Sequence, residues 1–185
     1  RLPNGRLVGV AKAKRFASDD SGLSFHDASD EYAGMDVKNY YQTILRTHNG
    51  TFLQVLAHSG GEIQASDDLK SWKTIGYLGD EKDQACLAEE NYLFHTGSMT
   101  EIAKPDGGWR LFMPVSVRIC DNAMPVYRGP SHDTFCLYSD DGGSTWNKSN
   151  LVSDVFGNNG GFVIDWCESK VINCDDGTLR LYCSR

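Results

Sequence analysis

The 185-residue sequence predicts an all-β protein. Three observations carry that reading. A turn-forming box recurs three times, a second turn signal and an apolar strand precede each box, and almost no stretch carries the 3.6-residue apolar period of a helix. The boxes are Ser18-Asp19-Asp20-Ser21-Gly22-Leu23-Ser24-Phe25, Ser66-Asp67-Asp68-Leu69-Lys70-Ser71-Trp72 and Ser139-Asp140-Asp141-Gly142-Gly143-Ser144-Thr145-Trp146. The third reads S-x-D-x-G-x-T-W. The first has Phe in place of Trp, and the second is one residue short and lacks the glycine. Each box reads as a turn whose Asp accepts backbone N–H groups, whose Gly takes a positive φ and whose aromatic packs under the sheet. Trp72 and Trp146 are therefore expected to be largely buried, and Asp20, Asp68 and Asp141 to be structural.

The stretches before the boxes begin Pro3-Asn4-Gly5-Arg6-Leu7, His48-Asn49-Gly50-Thr51-Phe52 and Asp106-Gly107-Gly108-Trp109-Arg110, and a fourth, Asp175-Asp176-Gly177-Thr178-Leu179, opens a unit near the end of the sequence. Asn-Gly and Asp-Gly between apolar residues signal two-residue hairpin turns, whose central residues must tolerate positive φ. Residues 85–94 are the only competitor for a helical turn. A repeat of roughly 50–70 residues with about four strands is a propeller blade. The expectation is one partial domain over residues 1–185, an arc of about three and a half blades at 1–35, 36–82, 83–155 and 156–185, the last incomplete. Such an open arc exposes strand edges and favours pairing.

Composition limits the function classes. Hydrophobic residues make up 40% and charged residues 23%, enough for a packed core. The net charge of −7, with no basic stripe, argues against a nucleic-acid surface. No apolar run approaches the ~18 residues of a membrane helix, and no leader pattern stands at the start. The sequence opens on Arg1 and reads as a mature or excerpted segment. Six cysteines include no C-x-x-C pair, which argues against zinc. The five histidines have no metal-ligand spacing, and no nucleophile elbow or phosphate loop occurs. Neither metal nor cofactor is expected. The cysteines, with sequons at Asn49-Gly50-Thr51 and Asn147-Lys148-Ser149, point to a secreted or cell-surface glycoprotein.

One pair of residues could carry chemistry. With Asp176-Gly177 at the tip of a two-residue turn, Cys174 faces Leu179, Val171 faces Tyr182 and Glu168 faces Arg185. Facing residues stand ~4.5–5.5 Å apart at Cβ. From spacing alone this is an exposed cross-strand ion pair worth ~0.2–1 kcal/mol.

The recurring S-x-D-x-G-x-T-W box resembles the Asp-box (BNR) repeat of sialidases, and the layout is closest to the trypanosomal sialidase and trans-sialidase group. The likeness covers most of the chain and is best over 95–185, where His95-Thr96-Gly97, Leu111-Phe112-Met113-Pro114-Val115, the third box and Cys167-Glu168 to Arg185 follow the family's order. The resemblance implies a sialidase-type β-propeller with the boxes remote from the active face. It implies a glycosidase acting on terminal sialic acid, with sialylated glycans or glycoproteins as partners. Glu168 would be the catalytic base towards a tyrosine nucleophile, and Arg185 one of three arginines gripping the sugar's carboxylate. Arg1, in Arg1-Leu2-Pro3, resembles the first of those three. The physics fits. A neutral phenol avoids the repulsion an anionic nucleophile would meet at a carboxylate-bearing anomeric centre, and the guanidinium fork matches that carboxylate.

The sequence also departs from the family. Ser169 stands where proline is usual, and Pro3 runs directly into a turn. Lys14-Arg15-Phe16-Ala17 leaves no room for the loop carrying the acid, and Tyr41-Gln42-Thr43 replaces Asp-Pro-Thr. The third Arg and the tyrosine would fall beyond residue 185. Two alternatives therefore stand beside the enzyme. One is a catalytically silent Asp-box surface protein or sialoglycan-binding module. The other is a propeller glycosidase of neutral sugars, which the S-x-D-L-x-x-W form of the second box resembles.

Overall fold

The computed structural model describes residues 1–11, 14–35, 44–56, 61–78, 93–96, 98–118, 132–149, 167–174 and 178–184. These residues form β-structure and turns, with no helix among them. Four antiparallel sheets follow one another along the chain without exchanging strands. The first contains β1 (Leu7–Ala11), β2 (Lys14–Ser18) and β3 (His26–Asp27) in that order. The second is the meander β4 (Ile44–Arg46), β5 (Phe52–Leu56), β6 (Glu62–Ser66) and β7 (Lys73–Tyr77). In the third, β10 (Trp109–Arg118) pairs with β11 (His132–Ser139), which pairs with β12 (Asn147–Lys148). The other edge of β10 is shared by β8 (Leu93–Thr96) and β9 (Thr100–Ala103). The fourth is the hairpin β13 (Cys167–Asn173) and β14 (Leu179–Ser184). The helical turn expected at 85–94 is not seen where it can be assessed: Leu93 and Phe94 belong to β8, and 85–92 lie outside the described residues.

The sheets pack in sequence order. Period-two alternation sends Leu53 and Val55 of β5, with Ile63 and Ala65 of β6, into one core with Leu111, Met113, Val115 and Leu137 of the third sheet. Phe52 on the opposite face of β5 joins Ala17, Tyr32, Met35 and Leu69 in a second core, between the first and second sheets. The hairpin joins the third sheet, where Val171 is buried and its carbonyl accepts a hydrogen bond from Thr100 Oγ1 at 3.0 Å.

The turn before each box is built the same way. Gly5 N–H donates to Leu2 O, Gly50 N–H to Thr47 O and Gly107 N–H to Lys104 O, each at 3.0 Å. The second bond closes one residue further on: Leu2 N to Arg6 O, Thr47 N to Thr51 O and Lys104 N to Gly108 O. Asn4, Asn49 and Asp106 each accept with Oδ1 from the N–H two residues on. The glycine ends the turn at φ 89°, 95° and 89°, where a Cβ would be strained. These are three-residue loops with a left-handed third residue, not the two-residue turns the dipeptides suggested. Cys174 N–H donates to Thr178 O at 2.9 Å, the same closing bond, one residue longer than a two-residue turn would give.

That extra residue corrects the register of the last hairpin. Asn173 faces Leu179, Ile172 faces Arg180, Val171 faces Leu181 and Lys170 faces Tyr182, each one position away from the expected partner. A β-bulge then intervenes, and Cys167 faces Ser184. Glu168 lies with Ser169 in the bulge, two residues against one on β14, and Arg185, its expected partner, lies outside the described residues.

Candidate functional site

The boxes occupy equivalent places, between β2 and β3, β6 and β7, and β11 and β12. In the third, Ser139 Oγ donates to Asp141 Oδ1 at 2.8 Å and accepts from Gly143 N–H at 2.9 Å. Asp141 also accepts from Thr145 N–H at 2.9 Å and from Thr145 Oγ1 at 2.5 Å. The first box repeats each bond with Ser18, Asp20, Gly22 and Ser24, at 2.7, 2.8, 2.9 and 2.6 Å. In the shorter second box Asp68 Oδ1 takes Ser66 Oγ at 3.1 Å and the N–H groups of Lys70 and Ser71 at 2.8 Å.

These bonds favour the charged carboxylate. Hydrogen bonds from Ser24 and Ser18 hold the Asp20 carboxyl well below the usual range, and those from Ser71 and Lys70 lower Asp68. Partial burial pushes the Asp141 carboxyl up, but the bonds from Thr145, Ser139 and Ser144 outweigh it and leave it low. Both oxygens of Asp141 are occupied by neighbours within four residues, which suits a turn clamp rather than a proton shuttle.

The box aromatics Trp72 and Trp146 are partly buried and pack against the two cores, in line with their expected anchoring role. Each indole N–H donates to the carbonyl three residues back, Trp72 to Leu69 at 3.1 Å and Trp146 to Gly143 at 3.0 Å. That bond ties the ring to its own turn.

Each of the later boxes also rests on the preceding sheet. A Cβ at Gly76 in β7 would stand 2.5 Å from Ser144 O and 3.0 Å from Gly143 O. At Gly34, after the first sheet, a Cβ would collide with Lys70 O of the second box. Ionic contacts reinforce that junction: Glu31 pairs with Arg6 at 3.0 Å and Lys70 at 3.3 Å, and both cations lie over the Tyr32 ring.

The sequence-predicted site residues lie largely outside what the structure describes. Glu168 has its backbone in the β13 bulge, and its side chain lies outside what the structure describes. Arg185 lies outside the described residues. Arg1 is exposed and its Nε donates to Gly5 O of its own turn at 3.3 Å. No described contact brings it to β13. Tyr41, Gln42 and Thr43 also lie outside the described residues.

A cleft that spacing could not reveal lies between the second and third sheets. It encloses about 360 Å³ among Thr47, His48, Glu101, Trp109 and Asp140. His48 stacks on Trp109 with centroids 4.3 Å apart and planes 8° from parallel. Its N–H donates to Glu101 Oε2 at 2.5 Å and its Nδ1 lies 2.9 Å from Oε1. Arg110 donates twice to Asp140, at 2.7 and 2.6 Å, and these bonds hold the Asp140 carboxyl below its usual range. His48 and Glu101 lie far apart in sequence, on different repeats, and only a turn signal marks the histidine. Both carboxylates are engaged by protein partners, so the cleft works as a clamp between sheets.

Among the described residues no group of His, Cys, Asp or Glu side chains could hold a metal ion, and no helix is long and apolar enough to cross a membrane. No family model matches the chain, and no curated protein matches it.

Proposed function

We propose that the chain is part of a sialidase-type β-propeller that recognises terminal sialic acid on glycoconjugates outside the cell, as a sialidase or trans-sialidase. The observation that carries the reading is the threefold recurrence of one box, with the same Ser–Asp–N–H bonding, at equivalent points of successive sheets. Sheets that pack only on their neighbours in sequence order, among the described residues, support a propeller arc over a sandwich. In this reading Glu168 is the base towards a tyrosine, and Arg185 grips the sugar's carboxylate, with Arg1 as a further candidate for that grip. The bulge at Glu168 supports a special role for that position, because bulges cluster where a side chain must be re-aimed.

A second reading, a silent sialoglycan-binding module, is favoured by one observation. Ala11 and Lys14 are paired, so only residues 12–13 join β1 to β2, and the loop that carries the family's acid has no counterpart there. Titration of the complete protein with a sialyl-lactose, alongside release of a fluorophore from an aryl sialoside, tests both. Binding with turnover supports the enzyme, binding without turnover supports the module, and no binding removes both.

A further inference from the structure

The loop before the second box carries a sequon that sialic-acid recognition does not use, Asn49-Gly50-Thr51. Asn49 is exposed, and its Oδ1 is turned into its own loop, where it accepts from Thr51 N–H at 3.2 Å and from Thr47 Oγ1. The amide is planar, so Nδ2 points out of the loop, and no described hydrogen bond engages it. Asn49 also lines the cleft between the second and third sheets, together with Trp109. The indole is 41% exposed although His48 covers one face, so its open surface is the other face and the edges. The volume of about 360 Å³ falls within the range of small-ligand pockets, about 300–1,000 Å³. No Lys or Arg is among the described residues that line it, while Glu101 and Asp140 keep lone pairs beyond those their partners use. The other sequon has no such platform, because Asn147 faces Tyr138 and the Arg110 guanidinium lies over that ring at 4.6 Å.

We infer that Asn49 is an N-glycosylation site and that the first N-acetylglucosamine of its glycan lies in this cleft on Trp109. In the attachment, Nδ2 attacks the anomeric carbon of a lipid-diphosphate-linked oligosaccharide. The C1–Nδ2 bond forms, the C1–O bond breaks, the lipid diphosphate leaves and one amide proton is released. The C–H face of the pyranose then stacks on the open indole, and its hydroxyls donate to the Glu101 and Asp140 carboxylates. A neutral sugar suits that acidic lining, whereas the carboxylate of a sialic acid would meet two acids and no lining cation. The sugar hangs from the loop before β5 and rests on β10, so it bridges the junction that His48 and Glu101 clamp. The modification rests on the extracellular placement proposed above and not on sialic-acid recognition.

The test is the complete protein, secreted behind a cleavable leader from a eukaryotic cell that adds oligomannose glycans. Glycopeptide mass spectrometry should find Asn49 occupied in most molecules, and an empty Asn49 overturns the site. Enzymatic trimming then leaves a single N-acetylglucosamine, whose NMR signals are those absent from Thr51→Ala, a variant that abolishes the sequon and keeps Asn49. Ring current from the indole should move protons of that sugar upfield, and signals at free-sugar positions would overturn the seat. Melting temperatures give a second reading, with Thr51→Ala compared against the trimmed protein in Trp109 and Trp109→Ala backgrounds. The lost contact of Thr51 with Asp67 cancels between backgrounds. The sugar should add about 2–4 °C more with Trp109 than without it, the scale of one stacking contact in a domain of this size. An equal gain in both backgrounds would overturn the seat, and the NMR reading decides if Trp109→Ala does not fold. The leader imposes the compartment, so failure here is distinct from failure of sialoside binding.

Discussion

The third box and the last hairpin treat a carboxylate-bearing residue in opposite ways. Around Asp141 the chain folds back within four residues and supplies donors to both oxygens, leaving the group charged and fully engaged. Around Glu168 the ladder is broken instead, with two residues set against one strand partner. A turn that recurs wherever sheets must join is explained by architecture. A bulge in an otherwise regular two-stranded pairing gives up ladder bonds and re-aims the residues within it. The difference separates carboxylates whose bonding holds a turn from a carboxylate residue set in an irregular stretch of strand.

The largest way to break the architectural half of that contrast is at the seat of the third box. Gly76→Ala sets a Cβ against two backbone carbonyls, so the second and third sheets must part. Urea unfolding should show a loss of about 3 kcal/mol, whereas Gly9→Ala, with open space at its Cβ position, should change little. A neutral Gly76→Ala would mean the box does not bear on β7. Asp141→Ala should cost about 1–2 kcal/mol through the donors it strands, and Asp141→Asn less, because one acceptor oxygen remains.

Leu69→Gly sharpens the comparison among the boxes. Leu69 holds φ at +63° without being glycine, and its side chain is buried. Relief of about 1 kcal/mol of backbone strain is opposed by about 2–3 kcal/mol of lost burial, so a net destabilisation is expected. A stabilised variant would show that burial does not maintain this turn.

The smallest effect is in pH. The box carboxyls sit below their usual values, so their contribution to stability is complete above the unfolded-state value of about 3.9. It is lost as pH falls through the lower folded-state values. The stability gap between the unmodified chain and Asp141→Asn should be constant from neutral pH to about 5 and close in acid. A gap that widens in acid would contradict the assigned bonding.

Much of this fold was legible in the sequence, because its turns are local. Asn4-Gly5, Asn49-Gly50 and the box Ser-x-Asp spacing set hydrogen bonds that close within four residues, and nothing distant alters them. The same local signals misled on one count. Asp-Gly and Asn-Gly suit two-residue and three-residue loops alike, and the choice depends on the backbone of the residue before them. That single residue shifted each described rung from Lys170 to Asn173 by one position. The docking of boxes on Gly34 and Gly76 and the clamp between His48 and Glu101 were not legible, since each joins residues of different repeats.

Sialoside affinity measured side by side for Asp141→Ala and Arg185→Lys tests the division of roles most directly. The account predicts that Asp141→Ala lowers the melting temperature and leaves affinity unchanged, while Arg185→Lys keeps the melting temperature and loses affinity at least tenfold, about 1.4 kcal/mol, with the guanidinium fork. A folded Asp141→Ala protein that no longer binds, beside an Arg185→Lys protein that binds as before, would contradict it.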